Sequence, residues 1–277
     1  MIKKCIFGTV LILVGMAALL GAQDAAQAPA AEGAAPPAPP ASPVAEQPKI
    51  TSQEEMNAIQ AIMQAPDENS RIEAANALVE GFAKSEWKGF ALQMATLSYQ
   101  SMNDYDNMMI YGERTLEADP DSYMVMLAMA PALAQKTREF DLDKEEKLGR
   151  AVELANKAIE VLETAPRPND AITDEQWDAA KSDFRAQAYE ALGMVALVRK
   201  DYQDAATQFK ASIDNAQTTN PATQVRLAVA CGQLKNYGEA ITILDSVLAN
   251  PNLHQSIRSI AQAERVRSVQ AQKAAGQ

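Results

Sequence analysis

The sequence predicts an all-α protein, and three observations carry that expectation. Beyond Pro48 the chain is rich in Ala, Leu, Glu, Gln, Lys and Met, which lose little side-chain freedom in a helix. Apolar residues recur at spacings of three and four, as in Ile72, Ala75, Leu78, Val79 and Phe82, which gathers them on one helical face. No stretch alternates apolar and polar residues over strand length between turn signals. Residues 50–277 are therefore expected to form one domain of about ten or eleven short helices.

Two different segments precede that domain. Lys3 and Lys4 lead into an apolar run from Cys5 to Leu20, followed by Gly21 and Ala22. A basic start, an apolar stretch and small residues at its end form the layout of an export signal, so residues 1–22 are assigned to it. Cleavage after Ala22 is one reading. An uncleaved anchor is the other, because the run approaches the roughly 20 residues that span a bilayer. No Cys stands at Ala22 or Gln23, so the segment lacks the mark of a lipoprotein signal. Residues 23–49 are dominated by Ala and Pro, with Pro36, Pro37, Pro39, Pro40 and Pro43 among them. Proline cannot donate to a helix ladder and the stretch offers little to pack, so it reads as a disordered, semi-extended linker.

Charge narrows the partners. Removing Lys3 and Lys4 from 25 basic residues leaves 23 against 36 acidic ones, a net charge of −13 for a cleaved chain. Such a chain repels phosphate backbones, so nucleic acid is a poor partner. An anionic membrane surface is disfavoured on the same ground, which leaves the N-terminal anchor as the only expected membrane link. Cys231 would be the one cysteine left after cleavage, and it reads as a small buried hydrophobe.

A recurrent mark divides the helical part. Asp104-Tyr105-Asp106-Asn107-Met108, Asp201-Tyr202-Gln203-Asp204-Ala205 and Asn236-Tyr237-Gly238-Glu239-Ala240 share a cap, a Tyr and a small or apolar residue opening a helix. Asp104, Asp201 and Asn236 can each accept from an orphan N–H at a helix start. Pro120 and Pro251 follow the ends of such runs, where proline cannot continue the helix. The preceding helices correspond too: Tyr189, Leu192 and Gly193 before Asp201; Leu227, Ala228 and Cys231 before Asn236; Ala95, Thr96 and Tyr99 before Asp104.

These units resemble the tetratricopeptide repeat (TPR), a helix–turn–helix of ~34 residues with the pattern W-x2-L-G-x2-Y…A-x3-F…P. Tyr189-x2-Leu192-Gly193 with Ala205-x3-Phe209 is the fullest match. Gly193 and Ala205 are expected to let paired helices approach, with Phe209 filling the gap between neighbours. In order, residues 51–86 supply a divergent pair, 89–120 a strong repeat, and 123–166 a degraded one. The degraded unit carries about nine extra residues around Thr137–Lys147, and Pro131 should kink its first helix. Residues 186–221 and 221–251 complete the repeats, and 254–273 has the character of a C-terminal cap. The resemblance implies an alpha-alpha superhelix, a solenoid of antiparallel helix hairpins.

The resemblance also implies where a partner would sit. First-helix positions that face the concave groove in the family fall on Phe90, Gln93 and Leu97; Met124, Leu127 and Pro131; Gln187, Glu190, Met194 and Leu197; Val225, Val229 and Gln233. This lining is apolar with a few amides and lacks the Lys and Asn clamp that grips peptide carboxylates in some relatives. If it is open to solvent, Leu127→Asp with Met194→Asp should leave the domain folded. The seven Met residues between Met94 and Met129 read as adaptable core, with a plastic groove as the alternative.

Catalytic and metal chemistry find no foothold in the sequence. His254 is the only histidine, and no local signature pairs it with a nucleophile. No Cys/His cluster suggests zinc, and the glycines form no phosphate loop. Asp141-Leu142-Asp143-Lys144-Glu145-Glu146 lacks the Gly and ligand spacing of a calcium loop and reads as an acidic helix start. The chain is thus expected to be a non-enzymatic, exported scaffold, periplasmic or membrane-tethered, that needs no cofactor and binds a protein or peptide. A small-ligand or glycan receptor is the alternative, with Trp87 and Trp177 as its candidate aromatic residues.

Overall fold

In the computed structural model the described residues are 43–276, so the segment read as an export signal and most of the Ala/Pro stretch lie outside them. The described residues form eleven α-helices: α1 (Gln53–Met63), α2 (Glu68–Gly81), α3 (Lys88–Ser101), α4 (Tyr105–Ala118), α5 (Tyr123–Lys136), α6 (Lys144–Thr164), α7 (Asp174–Arg199), α8 (Tyr202–Asn215), α9 (Pro221–Gln233), α10 (Tyr237–Leu248) and α11 (Gln255–Ala274). Among the described residues the only β pairing is an isolated bridge between Val44 and Arg167. None of their helices is long and apolar enough to cross a membrane.

The recurrent cap-and-Tyr mark corresponds to one turn geometry used three times. The residue before each cap is left-handed: Asn103 at φ 58°, Lys200 at 63° and Lys235 at 64°. That reversal lets the cap's N–H donate back to the finished helix, from Asp104 to Tyr99, from Asp201 to Ala196 and from Asn236 to Cys231, each at 2.9 Å. The pattern is a Schellman closure, and it satisfies carbonyls that a helix end leaves orphaned. Asp104 and Asp201 then accept from the N–H of Asn107 and Asp204, opening the second helix. Asn236 occupies the same position but makes no side-chain cap bond, contrary to the sequence expectation. Its turn rests on the backbone closure.

One other boundary differs from the repeat register. α7 starts at Asp174, not near Ala186, and is 26 residues long. Thr173 and Gln176 form a reciprocal capping box there, which fixes the early start. α5 continues through Pro131, and residues 137–143 form the insertion that separates it from α6. The acidic run opens α6 as expected, and Asp141 and Asp143 pair with Lys147 at 3.7 and 2.9 Å.

Each helix packs on the next, and odd helices also touch odd ones: α1 on α3, α3 on α5, α5 on α7 and α9 on α11. The odd helices therefore form an inner layer, and the ion pair between Glu190 and Arg226 links α7 to α9 within it. A continuous apolar core runs from α5 to α11, and a smaller cluster around Ile62, Ile72 and Leu78 holds α1, α2 and α3 together. α3 and α4 join through a buried contact between the Thr96 and Thr115 hydroxyls at 3.1 Å. Each hydroxyl also meets a carbonyl of its own helix, Leu92 or Tyr111, so neither is left unpaired.

Small residues set how closely the helices pair. A Cβ added to Gly193 would lie 2.6–2.9 Å from three ring atoms of Phe209, far inside contact distance. Gly112 is filled in the same way by the Met129 side chain from α5, a counterpart the sequence reading did not identify. Ala205 and Phe209 are fully buried. Ala205→Leu should therefore overpack α7 against α8 and lower stability by about 1–3 kcal/mol in denaturant unfolding. Lys235→Gly should do the reverse, because glycine adopts the left-handed conformation freely; a gain of about 0.5–1 kcal/mol is expected in the same assay.

Candidate functional site

The inner layer is the surface on which family resemblance places a partner, and its odd helices carry all the expected residues. Their environments are not alike. Leu127, Met194 and Val225 are 6%, 7% and 6% exposed and belong to the main core. Their side chains meet neighbouring helices, which leaves almost no face for a partner. Leu197 is half-buried against the same core, and Phe90 against the smaller one, edge-on to Trp87 at 5.5 Å between ring centroids. Leu97, Met124, Pro131 and Val229 are also half-buried, whereas Gln187 and Gln233 are exposed.

Two polar members of the set, Gln93 and Glu190, are engaged with other inner helices. The Gln93 amide oxygen accepts from the Ser122 hydroxyl at 2.9 Å, tying α3 to the start of α5. Glu190 is paired with Arg226 across α7 and α9. The surface left available is thus a mixed strip: amides, one ion pair and the edges of half-buried apolar side chains. It is not an open apolar face. Large exposed apolar side chains lie elsewhere, as Ile110 on α4, Phe140 and Leu142 in the insertion, and Ile260 and Val266 on α11. The Met residues divide similarly: Met108, Met126, Met129 and Met194 are buried, Met94, Met109 and Met124 are half-buried, and Met102 is exposed, contrary to its reading as core.

The residues considered for other chemistry have structural partners. Trp177 is 2% exposed and its indole N–H donates to the Ala165 carbonyl at 3.0 Å, so it cannot stack on a ligand. Trp87 is half-buried beside Phe90, with its indole nitrogen enclosed. Both tryptophans proposed for a ligand cleft are packing residues. His254 caps α11, where its Nδ1 accepts from the Ser256 N–H and meets the Ser256 hydroxyl at 2.8 Å. Cys231 is fully buried, and burial first, then the nearby Glu239 carboxylate, pushes its thiol up to about 11. Among the described residues no group of three or more His, Cys, Asp or Glu is placed to hold a metal ion.

Comparison with known structures agrees on the fold. A thermophilic TPR protein of Thermus thermophilus is similar at a TM-score of 0.50 and 12% identity, covering 76% of this chain and 99% of that one. An assembly chaperone of RpL4 is similar at a TM-score of 0.44 and 14% identity over 82% of this chain and 100% of that one. The TPR domain of P58(IPK) gives 0.30 and 11% over 79% and 64%. No protein-family model matches the sequence, and no curated protein matches it. At these identities the first likeness establishes the architecture, a TPR-like helical solenoid, and no more.

The burial of the inner layer makes two measurable statements. Leu127→Asp with Met194→Asp should unfold the domain rather than leave it intact, because each substitution places a carboxylate in the core without a partner. A loss of roughly 4 kcal/mol or more is expected, seen as a collapse of the cooperative melting transition. In a Cys5→Ser background, a thiol reagent at pH 8 should leave Cys231 unlabelled in the native protein and label it after denaturation, since the thiolate is the reactive form.

Proposed function

We propose that this chain is an exported, non-enzymatic scaffold that holds a protein or peptide partner against its inner helix layer. The observation that carries the reading is the joint support of α7 and α9, both packed on α8 and linked by the Glu190–Arg226 ion pair, which holds Gln187, Gln233 and the edges of Leu197 and Val229 on one frame. A frame of this kind suits recognition, because little side-chain and backbone freedom remains to be lost on binding. The mixed strip favours a partner segment that combines apolar contacts with main-chain or amide hydrogen bonds over a purely apolar helix. Export, to the periplasm or to a membrane-tethered position facing it, is supported by the charge and hydropathy layout of residues 1–22. The Ala/Pro stretch after it would hold the domain away from the membrane if the segment stays in place.

The test is site-specific photo-crosslinking in the native envelope. A photoreactive amino acid at Gln187 or Gln233 should trap a discrete protein partner. The same group at exposed positions on even helices, Thr207 or Ser246, should not. Crosslinks only from the even helices would overturn the assignment of the inner layer.

A further inference from the structure

The short β bridge joins parts of the chain that are far apart in sequence, and its geometry is that of a peptide on a receptor. The Ala45 N–H donates to the Arg167 carbonyl at 2.8 Å, and the Arg167 N–H donates to the Pro43 carbonyl at 2.9 Å. One residue of the α6–α7 connection thus engages both main-chain groups of an extended segment, in parallel. The Gln47 side-chain amide adds a bond to the Pro168 carbonyl at 3.3 Å. At the other end the Lys49 N–H donates to the Glu86 carboxylate, in the connection between α2 and α3, at 2.8 Å. Residues 43–49, about 20 Å of extended chain, therefore run from the α2–α3 connection to the α6–α7 connection.

The Arg167 side of the bridge is fastened within its own connection and to α7. Arg167 lies between Pro166 and Pro168. A residue before proline is driven to extended backbone, and proline itself has no N–H, so this stretch offers one isolated donor–acceptor pair at Arg167. The connection is fastened from α7: Trp177 donates to the Ala165 carbonyl, and the Arg167 guanidinium donates to the Ile172 carbonyl at 2.8 Å and pairs with Asp174 at 3.2 Å. The arginine side chain thus bonds within its own connection and to α7, and its backbone bonds Pro43 and Ala45 of the segment. That division of labour suits main-chain recognition, which reads extended shape more than side-chain identity.

We infer that the Pro166–Arg167–Pro168 edge is a docking site for an extended peptide, filled in cis by residues 43–47. An extended segment of a second protein takes the same place when the cis segment lifts away. The site accepts a peptide with a free carbonyl, a small or β-branched side chain and then a free N–H, as in Pro43-Val44-Ala45. Val44 and Ala45 are only half-buried, so the segment is held chiefly by main-chain bonds. Because the segment is tethered, its effective concentration is on the order of millimolar, and it acts as a built-in competitor that a partner must exceed. None of the residues that bond the segment belongs to the inner-layer strip, so the two readings are tested by different substitutions and fail separately.

The experiment uses the full chain with Ala45→Pro, which removes the N–H donated to Arg167, and a labelled synthetic peptide of residues 43–50 as probe. The variant should bind the peptide saturably, at least about tenfold tighter than wild type, whose site is already filled. A peptide N-methylated at Ala45 should not bind. Failure of a folded variant to bind the peptide, or equal binding of the N-methylated peptide, would show that the bridge is a structural clamp and overturn the site. A second measurement covers an unfolded variant. In wild-type hydrogen exchange the Ala45 and Arg167 amides should open well before the amides of α5 and α7. Exchange of both only with global unfolding would mean that the segment never lifts, and the inference would fail.

Discussion

Close approach of antiparallel helices at glycine is the constraint from which the rest of the architecture follows. Phe209 lies where a Gly193 side chain would begin, and Met129 lies where one on Gly112 would begin. In the first case α7 meets its hairpin partner α8; in the second, α4 meets α5 of the next unit. A large side chain filling a missing one removes apolar surface from water and keeps interior packing dense. It also fixes the distance between layers, so an error at one hairpin is passed to the next. No single hairpin here has two buried faces of its own. The core from α5 to α11 exists because neighbours supply the second face.

The turns do the complementary work of setting direction. Three left-handed residues and three backbone closures of 2.9 Å return the chain at nearly the same geometry, whatever the cap residue does with its side chain. Asn236 shows the separation: it lacks the side-chain bond that Asp104 and Asp201 make, yet its hairpin closes in the same way. This is why the repeated cap-and-Tyr mark was legible in the sequence at all. The polar residue and the Tyr mark a position whose geometry the backbone imposes.

Helix content, hairpin order and the tight positions Gly193, Ala205 and Phe209 could all be read in the sequence, because they depend on periodicity and side-chain size within one unit. The inner face could be read only by side of helix. Whether Leu127, Met194 and Val225 remain open depends on how near the adjacent helices lie, and those come from distant parts of the chain. Local pattern holds no measure of that distance. The early start of α7 depends on a different signal: Thr173 and Gln176 form a capping box that lies outside the repeat pattern, which begins at residue 186. The pairing of Val44 with Arg167 had no local signal, since proline-rich flanks on both sides argue against strand.

In the proposed function, the locked inner helices would meet a partner with edges and amides while the apolar mass stays in the core. That locking requires Gly193 and the Phe209 ring to be one energetic unit. A double-mutant cycle with Gly193→Ala and Phe209→Leu, read by denaturant unfolding, tests this most directly. Each single change should destabilise, and the double variant should lose less than their sum by about 0.5–3 kcal/mol, because the smaller side chain makes room for the added methyl. Strict additivity would show that the two positions do not share that space, and would contradict the account.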